Sequence, residues 1–556
     1  MNAALLVLVA LVVFAAGYVL YGGFLARRLG IRPERPTPAH TMTDGVDYVP
    51  AKPQVLMGHH FSSIAGAAPI IGPIVAATWG WLPVYLWILV GGLFMGAVHD
   101  LSALVVSVRH QGRSIGEVIE KRVGRPAKIL FLLFAWSALL LVIAVFVSAV
   151  AQTFHKVPAA GTASSLLIGT AVLFGLAVYR LRIPLLPATL GGIVLIAGTL
   201  AAGHAFPLAL PIVTWKLILF GYIFVASVAP VWILLQPRDF LNSFLLYALM
   251  LAAILGVLLV HPKMELPAYE GFQTDLGPLF PILFVTVACG ALSGFHSLVS
   301  SGTTAKQLAN EAHARPVAMG SMLIESLLAI TALVTAAILA RGDYHAQVAH
   351  GAIPVFAGGI GGFLETISGG RIPLAAGITF ASVAVAEFAL TSLDTATRIA
   401  RFAFQELVTP SAGASGPAAE ARRRIAGNRY LATTITVALG GAFALSGSER
   451  TIWPLFGAAN QLLAALAFLA VLAWMTHRAR PVGFVLVPTA FMYVVTLSAL
   501  LWKTWEFAGK GNWLLAGLAL LLALLALVLL KDAVRSIVAA RREIAAAGGR
   551  PLVAED

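Results

Sequence analysis

The chain contains many stretches of about twenty apolar residues, and this feature constrains its fold more than any other. Such a stretch is long enough to cross the ~30 Å hydrocarbon core of a bilayer as an α-helix. Charged residues make up only 11% of the 556 residues, and the mean hydropathy is +0.90, whereas a soluble domain is about one quarter charged. The sequence therefore predicts an all-α polytopic membrane protein with about fifteen transmembrane helices.

The predicted spans form a single transmembrane domain over residues 1–556. A glycine-rich stretch at 355–370 is too short and interrupted for a full span, and we expect it to be re-entrant. Residues 531–556 are basic and amphipathic, and we expect a cytoplasmic tail there. The spans are expected at 3–26, 56–79, 82–108, 129–152, 163–179, 185–203, 217–235, 241–260, 279–303, 317–340, 373–397, 430–446, 453–475, 482–502 and 513–530.

Two of these spans are predicted to be broken helices. The span 56–79 contains Pro69 and Pro73, and a regular helix does not pass undisturbed through two prolines, each of which removes a backbone donor. In hydrocarbon, the carbonyl groups freed in this way must find partners or line a cavity. The span 279–303 is interrupted by small and hydroxylic residues. Broken helices often build the binding site of secondary transporters at the middle of the membrane.

The distribution of basic residues predicts the orientation. With the N-terminus outside and the C-terminus in the cytoplasm, roughly three quarters of the 37 Lys and Arg residues lie in cytoplasmic loops. The two broken spans then run in opposite directions, and each opens a set of about five spans. This pattern predicts an inverted repeat, with 56–204 as the first copy and 279–476 as the second.

Polar residues inside the predicted spans are the candidates for function, because burying them in hydrocarbon is costly. Around the two breaks we expect a substrate site. Deeper groups are expected to couple transport to an ion, either H⁺ or Na⁺; Thr391, Asp394 and Thr395 share one helix face at i, i+3 and i+4. The substrate candidates are His59, His60, Ser62, Gly66, Ser293, Gly294, His296 and Ser300, and the ion-coupling candidates are His99, Asp100, Thr391, Asp394 and Thr395.

Each of these groups also has a structural interpretation, and the sequence leaves both open. His99 and Asp100 can form a structural hydrogen bond, and Asp394 can pair with Arg398 one turn further along the helix. Lys306 is expected to mark the cytoplasmic boundary. Asn460 and Gln461, at the start of a late span that includes Trp453, are expected to form hydrogen bonds across helices. Glu325 and Glu387 remain undecided.

Several function classes are excluded or made less favourable. One cysteine, Cys289, rules out a cysteine metal cluster, and no nucleotide-binding, hydrolase or zinc-protease motif is present. We therefore expect no enzyme, no metal site and no cofactor. The net charge of +13 is assigned to cytoplasmic loops and lipid contact, not to nucleic acid. A passive channel and a metal-ion carrier using His59 and His60 remain as alternatives.

Six motifs resemble those of the carbon-starvation protein A (CstA) family. They are DGVDYVP (44–50), GHHFSSIAGAAPIIGP (58–73), GAVHD (96–100), SGFHSLVSSGTTAKQL (293–308), FALTSLDTATRIARF (388–402) and FGAANQLLAALA (456–467). The resemblance implies a transporter of the bacterial inner membrane that takes up peptides or, in a related branch, pyruvate with protons. It also implies a five-plus-five inverted repeat of the amino acid–polyamine–organocation superfamily. The oligomeric state is left open.

Overall fold

The computed structural model describes residues 2–410, 413–548 and 550–552, and for residues 448–454 it describes the backbone only. Within this part, the chain is almost entirely helical, as predicted. Two short strands, β1 (Gln273–Thr274) and β2 (Gly277–Pro278), pair as an antiparallel hairpin. The side chain of Trp453 and residues 549 and 553–556 of the predicted tail lie outside the described residues.

The helices have the following bounds. The α-helices are α1 (Ala3–Leu29), α2 (Pro38–Thr41), α3 (Pro53–Ala65), α4 (Ala68–Ala76), α5 (Trp81–Gly91), α6 (Ala97–Val108), α7 (Ile115–Arg122), α8 (Arg125–Lys156), α9 (Pro158–Gly175), α10 (Leu185–Ala205), α11 (Ile212–Val228), α12 (Leu235–Val260), α13 (Leu279–Thr286), α14 (Gly294–Gly302), α15 (Ser321–Ala337), α16 (Arg341–Ala349), α17 (Ala352–Ile367), α18 (Leu374–Val408), α19 (Pro417–Gly427), α20 (Arg429–Ser446), α21 (Ser448–His477), α22 (Gly483–Gly509) and α23 (Trp513–Ala546). Short 3₁₀ turns occupy Ala77–Trp79, Thr304–Lys306 and Glu311–His313, and π-helical turns occupy Gly92–Gly96, Leu176–Arg180 and Arg315–Gly320.

The number of membrane crossings supported by helix length is smaller than predicted. Among the described residues, eleven helices are long and apolar enough to span a membrane, and the bent pair α3 and α4 makes twelve. The three further predicted spans correspond to α11, to the interrupted α13 and α14, and to α20. Most of the glycine-rich stretch predicted to be re-entrant, residues 355–367, lies in α17, an uninterrupted 16-residue helix. The count of about fifteen crossings therefore stays a prediction.

The first broken span is bent by 41° between α3 and α4. Gly66 ends α3 with φ 9° and ψ −158°, outside the helical region. Pro69 lies in the first turn of α4, where its missing N–H removes no helical hydrogen bond, and Pro73 lies inside α4. The break thus precedes both prolines, and His59 and His60 lie in regular helix before it.

The second broken span is wider. Residues 287–293 separate α13 from α14 and are not helical. Their small side chains allow other helices to approach closely. A Cβ atom added to Gly290, for instance, would lie 2.5 Å from Cβ of Ala329 in α15.

The two broken spans lie antiparallel and in direct contact. Near the start of the first, Nδ1 of His60 lies 2.9 Å from Oγ1 of Thr304, just past the end of α14. Near its end, a Cβ atom on Gly72 would lie 2.6 Å from the carbonyl oxygen of Thr286 in α13. Residue numbers therefore rise along one span as they fall along the other. The opposite directions expected from the sequence agree with this packing.

Candidate functional site

Every residue that the sequence assigns to substrate or ion binding is buried. The structure does not gather these residues into one site. It distributes them over several groups, each completed by side chains from other helices.

The first group surrounds His59 of α3. Its Nδ1 lies 2.5 Å from Oδ2 of Asp239 in α12, and its Nε2 lies 3.2 Å from Oγ1 of Thr303. The side-chain amide of Gln307 lies 3.3 Å from the same Nε2 atom. Ser62 donates a hydrogen bond to the backbone oxygen of Asp239 at 3.1 Å. These contacts join the first broken span to α12 and to the segment after α14.

The second group, which we call the histidine cluster, consists of His99, Asp100, His296 and Glu325. Asp100 bridges two imidazoles, with Oδ1 2.8 Å from Nδ1 of His99 and Oδ2 2.9 Å from Nδ1 of His296. Nε2 of His296 lies 3.4 Å from Oε2 of Glu325. All four side chains are at most 1% exposed. Imidazole and carboxyl groups can both bind and release protons, so these four side chains form a row of groups that can take part in proton transfer.

The third group is the arginine cluster, made of Tyr222, Arg238, Asn242, Glu387, Thr391 and Asp394. Arg238 donates hydrogen bonds to Oδ2 of Asp394 and, at 3.2 Å, to Oε2 of Glu387. The hydroxyl of Tyr222 donates to the same oxygen of Asp394 at 2.5 Å. Asn242 donates to Glu387 at 3.2 Å. Asp394 therefore has a buried cation as its partner, as a carboxylate inside a protein requires.

The alternative pairing of Asp394 with Arg398 is wrong. Arg398 donates to Asp47 at 2.5 Å, to the backbone oxygen of Ala226 at 2.6 Å and to that of Ala229. Arg398 lies one helical turn closer to the loop that carries Asp47. Asp394 instead faces α12, where the fully buried Arg238 needs counter-charges.

The hydroxyl groups of α18 hold the first break. Thr395 Oγ1 lies 2.9 Å from Oγ of Ser63, and Ser392 donates to the backbone oxygen of Ser63 at 2.9 Å. A Cβ atom on Gly66 would lie 2.8 Å from Oγ of Ser392, so α18 can approach only because Gly66 has no side chain. Thr391, on the same helix, accepts a hydrogen bond from Asn242 at 3.0 Å. The predicted hydroxyl-rich face of α18 thus contacts both α3 and α12.

Two amide side chains hold the second break. Gln461 donates to the backbone oxygens of Phe284 and Leu292, each at 3.1 Å, and so satisfies carbonyls on both sides of the interruption. Oδ1 of Asn460 accepts from the backbone N–H of Phe295 at 2.9 Å, and its Nδ2 donates to Ser293 at 3.1 Å. The prediction that these amides bond across helices is confirmed. An anionic substrate would have to displace Asn460 to reach that N–H group.

Other predicted residues have fewer partners. The hydroxyl oxygen of Ser300 and Nε2 of His60 have no hydrogen-bond partner among the described residues. Lys306, expected at an exposed boundary, is 7% exposed, and its Nζ lies 3.2 Å from the ring centre of Phe402. Among the described residues, no three His, Cys, Asp or Glu side chains converge to hold a metal ion.

A cavity of about 320 Å³ lies between the two breaks. The first broken span lines it with Ala67, Ala68 and Gly72, and the second with Thr286 and Cys289. The cavity walls are mainly apolar. Asn460 and Lys503 are polar side chains that also reach it.

Sequence reasoning missed the polar residues of α12 and its neighbour. The predicted span began at residue 241, whereas α12 begins at Leu235, so Arg238 and Asp239 were assigned to a loop. Tyr222 falls inside the predicted apolar span 217–235, where the sequence gives it no separate role. The available signal was the adjacent pair of opposite charges, Arg238 and Asp239, immediately before a long apolar run.

The chain matches a known protein family over most of its length. The family model described as carbon starvation protein CstA matches residues 2–349 and 345–499. The chain belongs to the CstA family. This is a family of transporters and not of enzymes.

Individual CstA relatives align over most of their length. The chain is 34% identical to the peptide transporter CstA of Escherichia coli, over 90% of this chain and 80% of that protein. It is 34% identical to the peptide transporter CstA of Bacillus subtilis, over 90% of each. It is 32% identical to the pyruvate/proton symporter BtsT of Escherichia coli, over 88% of this chain and 80% of that protein.

Solved structures give more distant similarities. A manganese transporter from Eremococcus coleocola aligns with a TM-score of 0.49 at 12% identity, covering 88% of this chain and 94% of that chain. A Na⁺-coupled sialic acid symporter aligns with a TM-score of 0.43 at 13% identity, covering 92% of this chain and 96% of that chain.

Proposed function

We propose that this protein takes up short peptides together with protons across the bacterial inner membrane by alternating access. The substrate class is supported by the CstA relatives, which are named peptide transporters. The mechanism is supported above all by one observation. Two interrupted helices lie antiparallel and in contact, with a cavity between their breaks.

The same observation supports an inverted repeat, with 56–204 and 279–476 as its copies. In this proposal the N-terminus is outside and the C-terminus is in the cytoplasm. The orientation is tested with single cysteines in a Cys289→Ser background. Asp275→Cys should react with an impermeant maleimide added to intact spheroplasts, and Glu420→Cys should react only after lysis. The reverse pattern would overturn the orientation.

We assign the coupling proton to the histidine cluster. Both carboxylate oxygens of Asp100 already contact imidazole nitrogens, and a Na⁺ ion would need several free oxygen ligands in their place. A proton needs only one acceptor. Buried ionisable residues of this kind commonly relay protons through transporters.

The test is uptake into proteoliposomes with an acidic exterior. Radiolabelled alanyl-alanine should accumulate above its external concentration, and the gradient should dissipate when a protonophore is added. An equal Na⁺ gradient without a pH gradient should support no accumulation. If neither peptides nor pyruvate accumulates with H⁺ or with Na⁺, the proposed function is wrong.

A second candidate is proton-coupled uptake of pyruvate or another small carboxylate. The alignment with the pyruvate/proton symporter BtsT over 88% of this chain favours it. The same liposomes distinguish the two. Pyruvate uptake that unlabelled dipeptides do not inhibit would support the second candidate over the first.

A further inference from the structure

We propose that the cavity between the breaks binds the uncharged, apolar body of a substrate that carries a carboxylate, and that Lys503 attracts this carboxylate. The inference rests on the proposed transport function and narrows its substrate class. Branched 2-oxo acids have this chemistry throughout, and short peptides with apolar side chains share the carboxylate and the apolar side chains but also carry an α-ammonium group.

The walls of the cavity disfavour charged substrate side chains. Helix α8 contributes Val145, Phe146 and Ala149, and α13 contributes Ile282 and Val285. No Asp or Glu is among the described residues that line the cavity. A charged group buried there without a partner would lose its hydration with little compensation. An apolar side chain has no such hydration to lose, and burial of its surface in the cavity is favourable.

Lys503 gives the cavity a positive charge. Glu506 accepts hydrogen bonds from Lys503 at 2.9 Å and from Lys510 at 2.6 Å, so one carboxylate is shared by two ammonium groups. Neither Glu506 nor Lys510 is among the described residues that line the cavity, so the charge that reaches the cavity is that of Lys503. The side chain of Lys503 is 13% exposed and lines the cavity, whereas that of Lys510 is 68% exposed and does not.

The size of the cavity limits the substrate. Its volume of about 320 Å³ lies at the lower end of the ~300–1,000 Å³ found for small-molecule sites. This space suits a short peptide or a branched 2-oxo acid.

Cys289 makes the charge of the cavity measurable. It is the only cysteine of the chain and lies on the cavity wall. We would compare its reaction with two impermeant methanethiosulfonates of similar size, the negative sulfonatoethyl and the positive trimethylammonium-ethyl reagent. The negative reagent should react faster, by roughly tenfold, because local positive charge concentrates anions. The reaction is followed in intact spheroplasts and in inverted vesicles, with Cys289→Ser as the blank.

Two matched variants test the role of Lys503. Lys503→Gln and Lys510→Gln remove the same charge from the same partner, Glu506. We expect Lys503→Gln to abolish the preference for the negative reagent and Lys510→Gln to retain it. An equal change in both variants, no preference in the unmodified protein, or no reaction from either side of the membrane would overturn the proposal.

Protection of Cys289 then distinguishes the substrates. Alanyl-leucine should slow its alkylation if peptides bind, and 2-oxoisovalerate should do so if oxo acids bind; glutamyl-lysine should not. Equal protection by alanyl-leucine and glutamyl-lysine, with transport intact, would overturn the apolar preference and leave the proposed function standing. Charge-dependent labelling of Cys289 without any accumulation of substrate in liposomes would support the positive charge of the cavity and overturn the proposed function.

Discussion

The histidine cluster and the arginine cluster both bury carboxylates inside the helix bundle, but they neutralise them differently. Asp100 lies between two imidazoles, whereas Asp394 and Glu387 share the guanidinium of Arg238. A guanidinium stays protonated at every physiological pH. An imidazole, in contrast, can be neutral or positively charged.

The two clusters therefore differ in how well they suit proton coupling. The guanidinium of Arg238 keeps its charge, and its hydrogen bonds to Asp394 and Glu387 hold α12 against α18. The imidazole and carboxyl groups of the histidine cluster can each take part in proton transfer, and the cluster connects α6, α14 and α15, so a proton there can alter how the second broken span packs. We therefore expect substitutions in the two clusters to produce different defects.

The largest effect is expected for Arg238→Ala. It leaves Asp394 and Glu387 buried without their cation, and breaking such a buried pair costs about 3–5 kcal/mol. We expect little folded protein, measured as the monodisperse fraction in detergent and as the apparent Tm. Arg422→Ala, at an exposed position of α19, serves as the control.

A triple variant tests the reason for this loss. Arg238→Leu combined with Asp394→Asn and Glu387→Gln removes all three charges together, and it should recover most of the folded fraction. If Arg238→Ala alone folds with an unchanged Tm, the arginine cluster does not hold the helices together.

The second-largest effect is expected for Asp100→Asn, which tests whether the histidine cluster couples transport to protons. Asp100→Asn should fold but no longer accumulate substrate, because its side chain cannot exchange a proton. One pH unit is worth about 1.4 kcal/mol, so coupling to one proton supports at most about tenfold accumulation at that gradient. The variant should bring this ratio to one while exchange across the membrane continues.

Asp394→Asn is the matched comparison for Asp100→Asn. We expect a lower Tm, with the accumulation ratio of the remaining folded protein retained. The opposite result, in which Asp394→Asn uncouples transport and Asp100→Asn does not, would move the coupling role to the arginine cluster.

The sequence predicts the broken helices and the buried polar residues better than it predicts which of these side chains contact each other. Both breaks are present and lie at features that are local in the chain, although the first falls at Gly66, before the two prolines from which it was predicted. Arg238, the partner of Asp394, lies 156 residues away along the chain, and His296, the second partner of Asp100 besides the adjacent His99, lies 196 residues away. No local pattern in the sequence specifies which helices contact each other. The structural alternative for Asp394 therefore pairs it with the nearest arginine in the sequence, Arg398.

A smaller effect is expected for Asn460→Ala. Asn460 caps α14, which carries His296, so its loss leaves the N–H of Phe295 unpaired at a cost of about 1–3 kcal/mol. We expect a lower Tm and weaker proton-driven accumulation. Asn428→Ala removes a cap of α20, where the side chain accepts from two backbone N–H groups, and should lower the Tm without affecting coupling. Equal coupling in both variants would show that the position of α14 does not control the histidine cluster.

The smallest effect is expected for Asp47→Asn, which repeats the arginine–carboxylate pairing outside the membrane spans. Burial of Asp47 opposes its ionisation, but Arg398, Arg401 and Lys306 outweigh it and lower the pKa of the carboxyl. Since the pKa is lower in the folded protein than in the unfolded chain, at about 3.9, the stabilisation is complete above that value and is lost as the pH falls through the folded value. Asp47→Asn should therefore lower the apparent Tm at pH 7, by less than the other variants because Arg398 keeps the backbone oxygens of Ala226 and Ala229 as acceptors, and its apparent Tm should fall less steeply below pH ~4. An equally steep acid loss in both proteins would show that this ion pair contributes no stability.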